Sequence, residues 1–433
     1  MRIVRWKRRD FLLRLSQSAL ALLVAGRAGK LAIAQETKPT SVLVLGAGLS
    51  GLYTAWLLEA AGVSVTVLEA RDRVGGRVYT LEDLPGKPEA GGQSFSEKYK
   101  RLLTLAQILA VPTEPVKIDR KLLLNVKGES LLPPDWKNSD VNKLTERERR
   151  IMPTSLMRHY LRPDNPLKDA KAWTSPRYFN LDISLEKYLR ARGASPEALR
   201  LMNVYPSSMN SIETASALWA LKNDQRSQTP NQNPMQIKGG NSYLPQQMAK
   251  ALKSPVQRNK VVEAIRSGER GVKVYCTDGS QYQANYAVCT LPFSVLRQVQ
   301  IDPPFPGEQA EAVRELPYTM VTQVHLRVRR PFWEEDGYPI GMWTDSVLEL
   351  MFPQQDGNGQ VQSMVCWANG DSAKKLDAMS SRELNQFVMA ELKRLRPATE
   401  GNIEIARVVS WGGDRYARGA YAYFAPGQIS QFS

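Results

Sequence analysis

Three glycines mark the junction between an apolar run and a stretch of helix formers. Residues 41–45 (SVLVL) lead into Gly46, Gly48 and Gly51, spaced G-x-G-x-x-G. No other feature constrains the fold of the chain as much. A continuous run of Val and Leu suits a strand buried on both faces of a parallel sheet, and a glycine turn from strand to helix brings backbone close to whatever lies at the helix N-terminus. Residues 52–61 supply helix formers, Gly62 ends them, and 63–68 alternate as a second strand closing on Glu69. The unit is therefore βαβ. An acid at that strand end accepts hydrogen bonds from adenosine ribose hydroxyls, so Gly46, Ala47, Gly48, Gly51 and Glu69 are expected to hold a dinucleotide.

The residues after the acid narrow the choice. Ala70, Arg71, Arg73, Gly75, Gly76 and Arg77 follow at once, and a nicotinamide-binding unit has no need of a second glycine pair and arginines there. The segment 69–80 resembles the signature of FAD-dependent amine oxidases, a family that includes monoamine, polyamine and L-amino acid oxidases. The resemblance implies an α/β fold in which a discontinuous Rossmann-like FAD-binding domain carries an inserted α+β substrate domain. It implies that Glu69 holds the ribose, and that Ala70, Arg71, Gly76 and Arg77 lie along the cofactor. Guanidinium groups and free amides suit a diphosphate and an electron-rich isoalloxazine.

Further elements extend the resemblance. Gly91, Gly92, Gln93 and Ser94 correspond to a glycine pair whose backbone approaches the flavin ring. Snake-type L-amino acid oxidases place an arginine just after these glycines to clamp the substrate carboxylate, and here no local residue can form that bidentate pair. Val262 matches a valine that bonds adenine through its backbone. The strand at 318–326, before Pro331, Phe332 and Trp333, carries Gln323 where many members have a lysine holding a water near the flavin. A neutral amide supplies no positive charge for developing superoxide or peroxide, which leaves the acceptor open between oxygen and another oxidant. His325 shares the face of Gln323, since side chains alternate along a strand, and is read as packing or surface. The stretch 411–427 resembles the segment supplying one wall of an aromatic cage. Tyr421 would be that wall, where a neutral amine is aligned for hydride loss. Ala420 stands where monoamine oxidases have the cysteine that carries flavin covalently, so FAD is expected to be noncovalent. Gln323 and Tyr421 are the catalytic candidates.

These elements suggest cofactor-domain segments at 40–110 and 236–300 and substrate-domain segments at 111–235, mostly helical, and 301–405, containing a sheet. Residues 406–433 are read as the truncated start of a C-terminal FAD-binding segment, since no F-A-G-E-like motif follows. The leading reading is oxidation of an amine C–N bond. L-amino acid oxidation and an inactive flavoprotein homologue are the alternatives, and a small amine or amino acid and an electron acceptor are the implied partners.

Composition agrees with a large enzyme of 433 residues, 42% hydrophobic and 23% charged. The formal charge of +15 overstates the basic character, because residues 1–34 hold eight Lys and Arg against Asp10. What remains shows no long basic runs or aromatic platforms, which argues against a nucleic-acid partner. Lys7, Arg8, Arg9, Asp10 and Phe11 match a twin-arginine signal, followed by an uncharged stretch at 15–26 and a small-x-small site ending at Ala34. The expectation is cleavage after Ala34 and export through the twin-arginine machinery to the periplasm or beyond, with no stable membrane anchor. Cys276, Cys289 and Cys366 show no paired spacing and read as buried thiols. With His159 and His325 as the only histidines, neither a histidine metal site nor a Ser-His-Asp triad is expected.

Overall fold

The computed structural model describes residues 40–116, 121–206, 208–228, 233–355 and 359–432. The twin-arginine segment at 1–34 lies outside the described residues. Among those described, no helix is long and apolar enough to cross a membrane.

Internal packing divides the chain into two units. The smaller takes the described part of Met1–Gly76 with Pro245–Leu291 and Val299–Pro303, and the larger takes Arg77–Leu244, Pro292–Gln298 and the described part of Pro304–Ser433. In the smaller unit, strand Ser41–Leu45 lies between Tyr286–Cys289 and Ser64–Leu68, parallel to both. Val42 to Leu45 are at most 2% exposed, as a run without polar alternation requires. Helix Leu49–Ala60 buries Leu52, Ala55 and Leu58. A second sheet, ordered Gln300–Asp302, Val262–Gly268, Gly271–Cys276, Gln281–Ala284, packs Val274 and Cys276 with Leu43 and Leu68. Cys276 and Cys366 are buried, but Cys289 is exposed, correcting the reading of all three thiols as buried. It ends the strand Tyr286–Cys289, whose three earlier residues are half-buried, at the point where the chain leaves the sheet.

The larger unit is α+β. Its seven-stranded sheet runs Ile403–Ser410, Val321–Val328, Val361–Asn369, Leu350–Gln355, Gly341–Thr344, Leu122–Val126, Glu129–Leu131. The last two strands come from a stretch read as mostly helical. Leu122–Val126 is held by parallel pairing with Gly341–Thr344, a partner more than two hundred residues away that local pattern does not reveal. Helix Ser381–Leu395 opens with a capping box between Ser380 and Glu383 and buries Leu384, Val388, Leu392 and Leu395, one apolar stripe at helical spacing. That stripe covers the face of the sheet bearing Val324, Leu326, Met364 and Cys366. Val321 and Trp367 belong to a separate cluster with Trp411, Ala417 and Ala420.

A further core gathers helices Pro153–Leu161, Leu185–Ala191, Pro196–Met202 and Ala217–Ser227 around Leu156, Leu189 and Leu218. Ser184, Ser195 and Ser216 cap three of them with their side chains. Glu148 organises this region. It accepts from the Tyr160 hydroxyl, from the Ser195 amide at 3.0 Å, and from the Thr145 amide and hydroxyl at 3.1 and 2.6 Å. Burial by itself would raise its pKa, but these donors hold the carboxylate down to about 2.

Division by packing differs from division by expected cofactor role. Residues 77–110 and 236–244 group with the larger unit, because backbone and side-chain bonds tie them to one another and to Trp411. Arg396, with a side chain 1% exposed, similarly closes the Pro331-Phe332-Trp333 turn. It grips Asp336 through two bonds of 2.7 and 2.8 Å, donates to the Pro339 and Ile340 carbonyls, and lies 4.7 Å over the Phe332 ring.

Replacing Arg396 with Met takes the guanidinium from Asp336, which keeps only the Tyr338 amide, and from the carbonyls of Tyr338, Pro339 and Ile340, and is expected to lower the unfolding free energy in urea by about 3 kcal/mol or more. Glu148 sets an acid limit. Its folded pKa lies below the ordinary 4.5, so its contribution is complete above that pH and is lost as pH falls toward about 2. Glu148→Gln should flatten the fall in melting temperature across that window.

Candidate functional site

The three glycines of the opening turn have different surroundings. A Cβ at Gly51 would lie 1.9 Å from the Gly46 carbonyl oxygen, and one at Gly46 would lie 2.8 Å from Thr290 Oγ1. Gly46 also has φ +104°, a conformation that L side chains rarely adopt. A Cβ at Gly48 would meet nothing within 4 Å. The helix beginning at Leu49 has no side-chain cap and no acid in its first turn. Its N-terminal amides are therefore oriented for an anion. Gly75 and Gly76 pack against this turn: the Gly75 amide donates to the Ala47 carbonyl at 2.8 Å, and Gly76 approaches the Gly48 Cα. Arg73 Nη2 donates to the Gly76 carbonyl at 3.0 Å, which shapes the loop.

Glu69, 4% exposed, accepts from the Ala47 amide at 2.7 Å and from the Arg71 amide at 2.9 Å. One carboxylate thus joins the glycine turn to the segment after the second strand, and Ala70 and Arg71 lie half-buried beside it. Residues 257–260 run alongside: Glu69 donates to Gln257, and Lys260 and Asn259 donate to the carbonyls of Glu69 and Arg71. Val262 follows, half-buried, opposite Cys276 where the strand register shifts. The smaller unit therefore brings together Gly46 to Gly51, Glu69 to Arg71, Gly76 and Val262.

Arg77, Gly91 to Ser94, Gln323 and Tyr421 lie in the larger unit. A Cβ at Gly91 would lie 2.1 Å from the Arg77 carbonyl oxygen, so this glycine lets two chain segments touch. Gly92 and Ser94 are exposed and Gln93 is half-buried. The sequence reading missed the knot that holds them. Glu89 accepts from the Thr80 hydroxyl at 2.9 Å and the Asn241 amide at 2.6 Å, and Asn241 Nδ2 donates to the Gly92 and Gln93 carbonyls. Burial pushes the Glu89 carboxyl up to about 7 against these donors. Its only sequence signal was the pairing of a Glu before one glycine pair with an Asn after another at 239–240.

Arg77 donates through Nη1 to the Ala420 carbonyl, and its guanidinium lies 6.0 Å from the Tyr318 ring centre. Ala420 and Tyr421 are laced by backbone to Thr319. Tyr421 is 41% exposed yet recessed, for the surrounding protein raises its hydroxyl pKa while Arg77 opposes the shift. Gln323 has different surroundings. It is fully enclosed, pairs in register with Trp367 and Val409, and its Oε1 lies 3.3 Å from His325 Nε2. Gln323 Nε2 and His325 Nδ1 are buried without a partner. His325 does share the face of Gln323, and is buried rather than at the surface. Burial, then Arg407, push its pKa down to about 4. Among the described residues no group of three or more His, Cys, Asp or Glu is placed to hold a metal.

Comparisons with known proteins bear on the family and the fold. A family model described as flavin containing amine oxidoreductase matches residues 49–432. An L-amino-acid oxidase of Demansia vestigiata is 26% identical over 92% of this chain and 80% of its own. Human amine oxidase [flavin-containing] B is 25% identical over 90% and 78%. Among solved structures, a putrescine oxidase variant with redesigned cofactor binding superposes with TM-score 0.74 at 24% identity, covering 91% of this chain and 90% of that one. Cyclohexylamine oxidase from Brevibacterium oxydans gives TM-score 0.74 at 22% identity with the same coverage. These structural likenesses establish the shared α/β fold.

The glycine surroundings separate two substitutions: Gly51→Ala should fail to fold or melt far below the parent, whereas Gly48→Ala should melt within a few degrees of it. His325 gives a second measurement. Its folded pKa of about 4 lies below the ordinary 6.5, so the fold keeps the neutral ring, and stability falls as pH drops from 6.5 toward 4. His325→Asn should remove that slope in urea titrations repeated across this range.

Proposed function

The chain belongs to the flavin-containing amine oxidoreductases, and on that footing we propose that it binds FAD noncovalently and oxidises the C–N bond of a small amine to an imine, which water converts to a carbonyl compound. The supporting observation is the contrast among the glycines. Of the three glycines in the opening turn, Gly46 and Gly51 are closed by protein atoms and Gly48 has open space, beside uncapped helix amides. A pyrophosphate is the group this arrangement accommodates. In this reading Glu69 meets the ribose with the lone pairs left by Ala47 and Arg71, and Val262 offers its backbone to adenine. Bound FAD supplies the acceptor for the hydride that leaves the substrate carbon.

The remaining roles fall to the chain. Tyr421 presents an exposed ring against which a neutral amine is oriented, and Arg77 fixes that ring's backbone through the Ala420 carbonyl. With the amine bound neutral, no strong base is needed, in keeping with two histidines in the chain. Ala420 offers no thiol to the flavin. Gln323 and the neutral His325 hold a water and bring no positive charge, which favours an acceptor other than oxygen for rapid turnover. Export through the twin-arginine route places this chemistry outside the cytoplasm. A second reading, L-amino acid oxidation, is favoured by the relatives bearing that name; against it, Gln93 and Ser94 offer no guanidinium to a carboxylate.

The purified chain is expected to absorb at flavin wavelengths, to release its flavin into the supernatant on acid precipitation, and to bleach anaerobically with primary amines. Gly48→Leu should fold and remain colourless. Bleaching by α-amino acids alone would overturn the amine reading in favour of the second.

A further inference from the structure

Lys98, Lys100 and Arg101 put three bases at the start of helix Lys100–Ile108. Composition and helix electrostatics conflict there. The first turn of a helix carries partial positive charge on its free amides, which favours an acid or a capping hydroxyl and opposes Lys and Arg. This nine-residue helix has no side-chain cap and no acid in its first turn. The three bases and Tyr99 between them are all exposed.

A cleft of about 530 Å³ lies at this helix start, within the larger unit. Lys98 and Tyr99 line it, together with Lys168 and with Arg226 from the last turn of helix Ala217–Ser227. Among the described lining residues Asp169 is the only acid, and its Oδ1 already accepts from the Lys171 amide at 2.9 Å. Three bases against one acid leave the cleft positive. Among the described residues neither Lys98 nor Lys168 has an ion-pair partner. Asp224, on the same helix as Arg226, is occupied by Arg162 at 3.5 Å and by Gln228 Nε2 at 2.7 Å. Burial, then Arg226, lower the Lys222 ammonium below its ordinary pKa, a further sign of positive charge in surplus on this helix.

Ser96 also lines the cleft. It is 6% exposed, and its hydroxyl is buried without a hydrogen-bond partner. A donor left unpaired beside uncapped amides and unpaired ammonium groups calls for an acceptor. We propose that this cleft is an anion site for a phosphate-class oxyanion, held by Lys98, Lys168, the Ser96 hydroxyl and the first-turn amides of the helix. A doubly charged tetrahedral ion offsets the surplus of bases, and its several oxygens accept from ammonium, hydroxyl and amide together. The cleft is larger than a free ion, which leaves room for a small organic group on one phosphate oxygen. None of these residues has a role in the amine oxidation proposed above, so the two readings stand or fall separately.

Titration calorimetry on the full chain tests the site, with sodium phosphate, sodium sulfate and phenyl phosphate as ligands and sodium chloride at equal ionic strength as the reference. Phosphate should bind saturably with a Kd of about 1 mM or below, and raise the melting temperature beyond the effect of chloride. Tighter binding of phenyl phosphate identifies an ester as the ligand, and equal or weaker binding the free ion. The double variant Lys98→Ala, Lys168→Ala should weaken phosphate binding at least about tenfold, and Ser96→Ala about threefold or more. Both should melt no lower than the parent in chloride, because one loses mutual repulsion and the other an unpaired buried hydroxyl. Lys375→Ala, which removes an equal charge from helix Gly370–Asp377, should bind phosphate as the parent does. Phosphate and sulfate that do no more than chloride overturn the proposal. So does a double variant that keeps the parent's affinity, and so does equal weakening by Lys375→Ala, which marks screening of the whole surface.

Discussion

Helix Leu49–Ala60 sits so close to the end of strand Ser41–Leu45 that a single methyl group at residue 51 would overlap the carbonyl oxygen of Gly46. The rest of the smaller unit depends on that approach. It sets the turn that Gly75 and Gly76 pack against, and it places the Ala47 amide where Glu69 can accept from it. Glu69 then ties the turn to the end of the second strand, and the 257–260 run that precedes Val262 is bonded along that strand end. One steric exclusion therefore positions four separated stretches of chain around an uncapped helix terminus.

In the larger unit, buried carboxyl groups do comparable work by different balances of the same forces. Glu148 has four donors from three residues, and they outweigh the penalty of burial, so it is held ionised. Glu89 and Glu349 are bonded too, but by fewer strong donors at deeper sites, and burial prevails. A carboxylate surrounded by donors is a structural pin, whereas an acid held near neutrality by burial remains sensitive to any charge that comes beside it. Glu148 is accordingly the fastening of a helical core, and Glu349 a neutral acid enclosed beside Asn369.

Much of the fold was legible without coordinates. The βαβ unit and the strand before Pro331 both carry local signals, because apolar period and turn glycines act over a few residues. Family membership was legible for the same reason, through motifs that are contiguous in sequence. Strands Leu122–Val126 and Glu129–Leu131 were not, since only a distant partner makes them strands. The knot among Thr80, Glu89 and Asn241 was also invisible, because its members are scattered over some 160 positions and hydrogen bonds between remote side chains leave no periodic trace.

Sequence alone determined that this chain has the turn, the acid and the glycine pairs of an amine-oxidising flavoprotein, since each of those features is a requirement on backbone conformation that few residue types satisfy. Tertiary structure alone decided what each residue meets. It closed Gly51 and left Gly48 open, enclosed Gln323 with His325 while Tyr421 stayed exposed, and buried Glu349 against Asn369. Burial and donor geometry are properties of the assembled packing, and they decide whether a polar side chain fastens the fold or stands ready for a ligand.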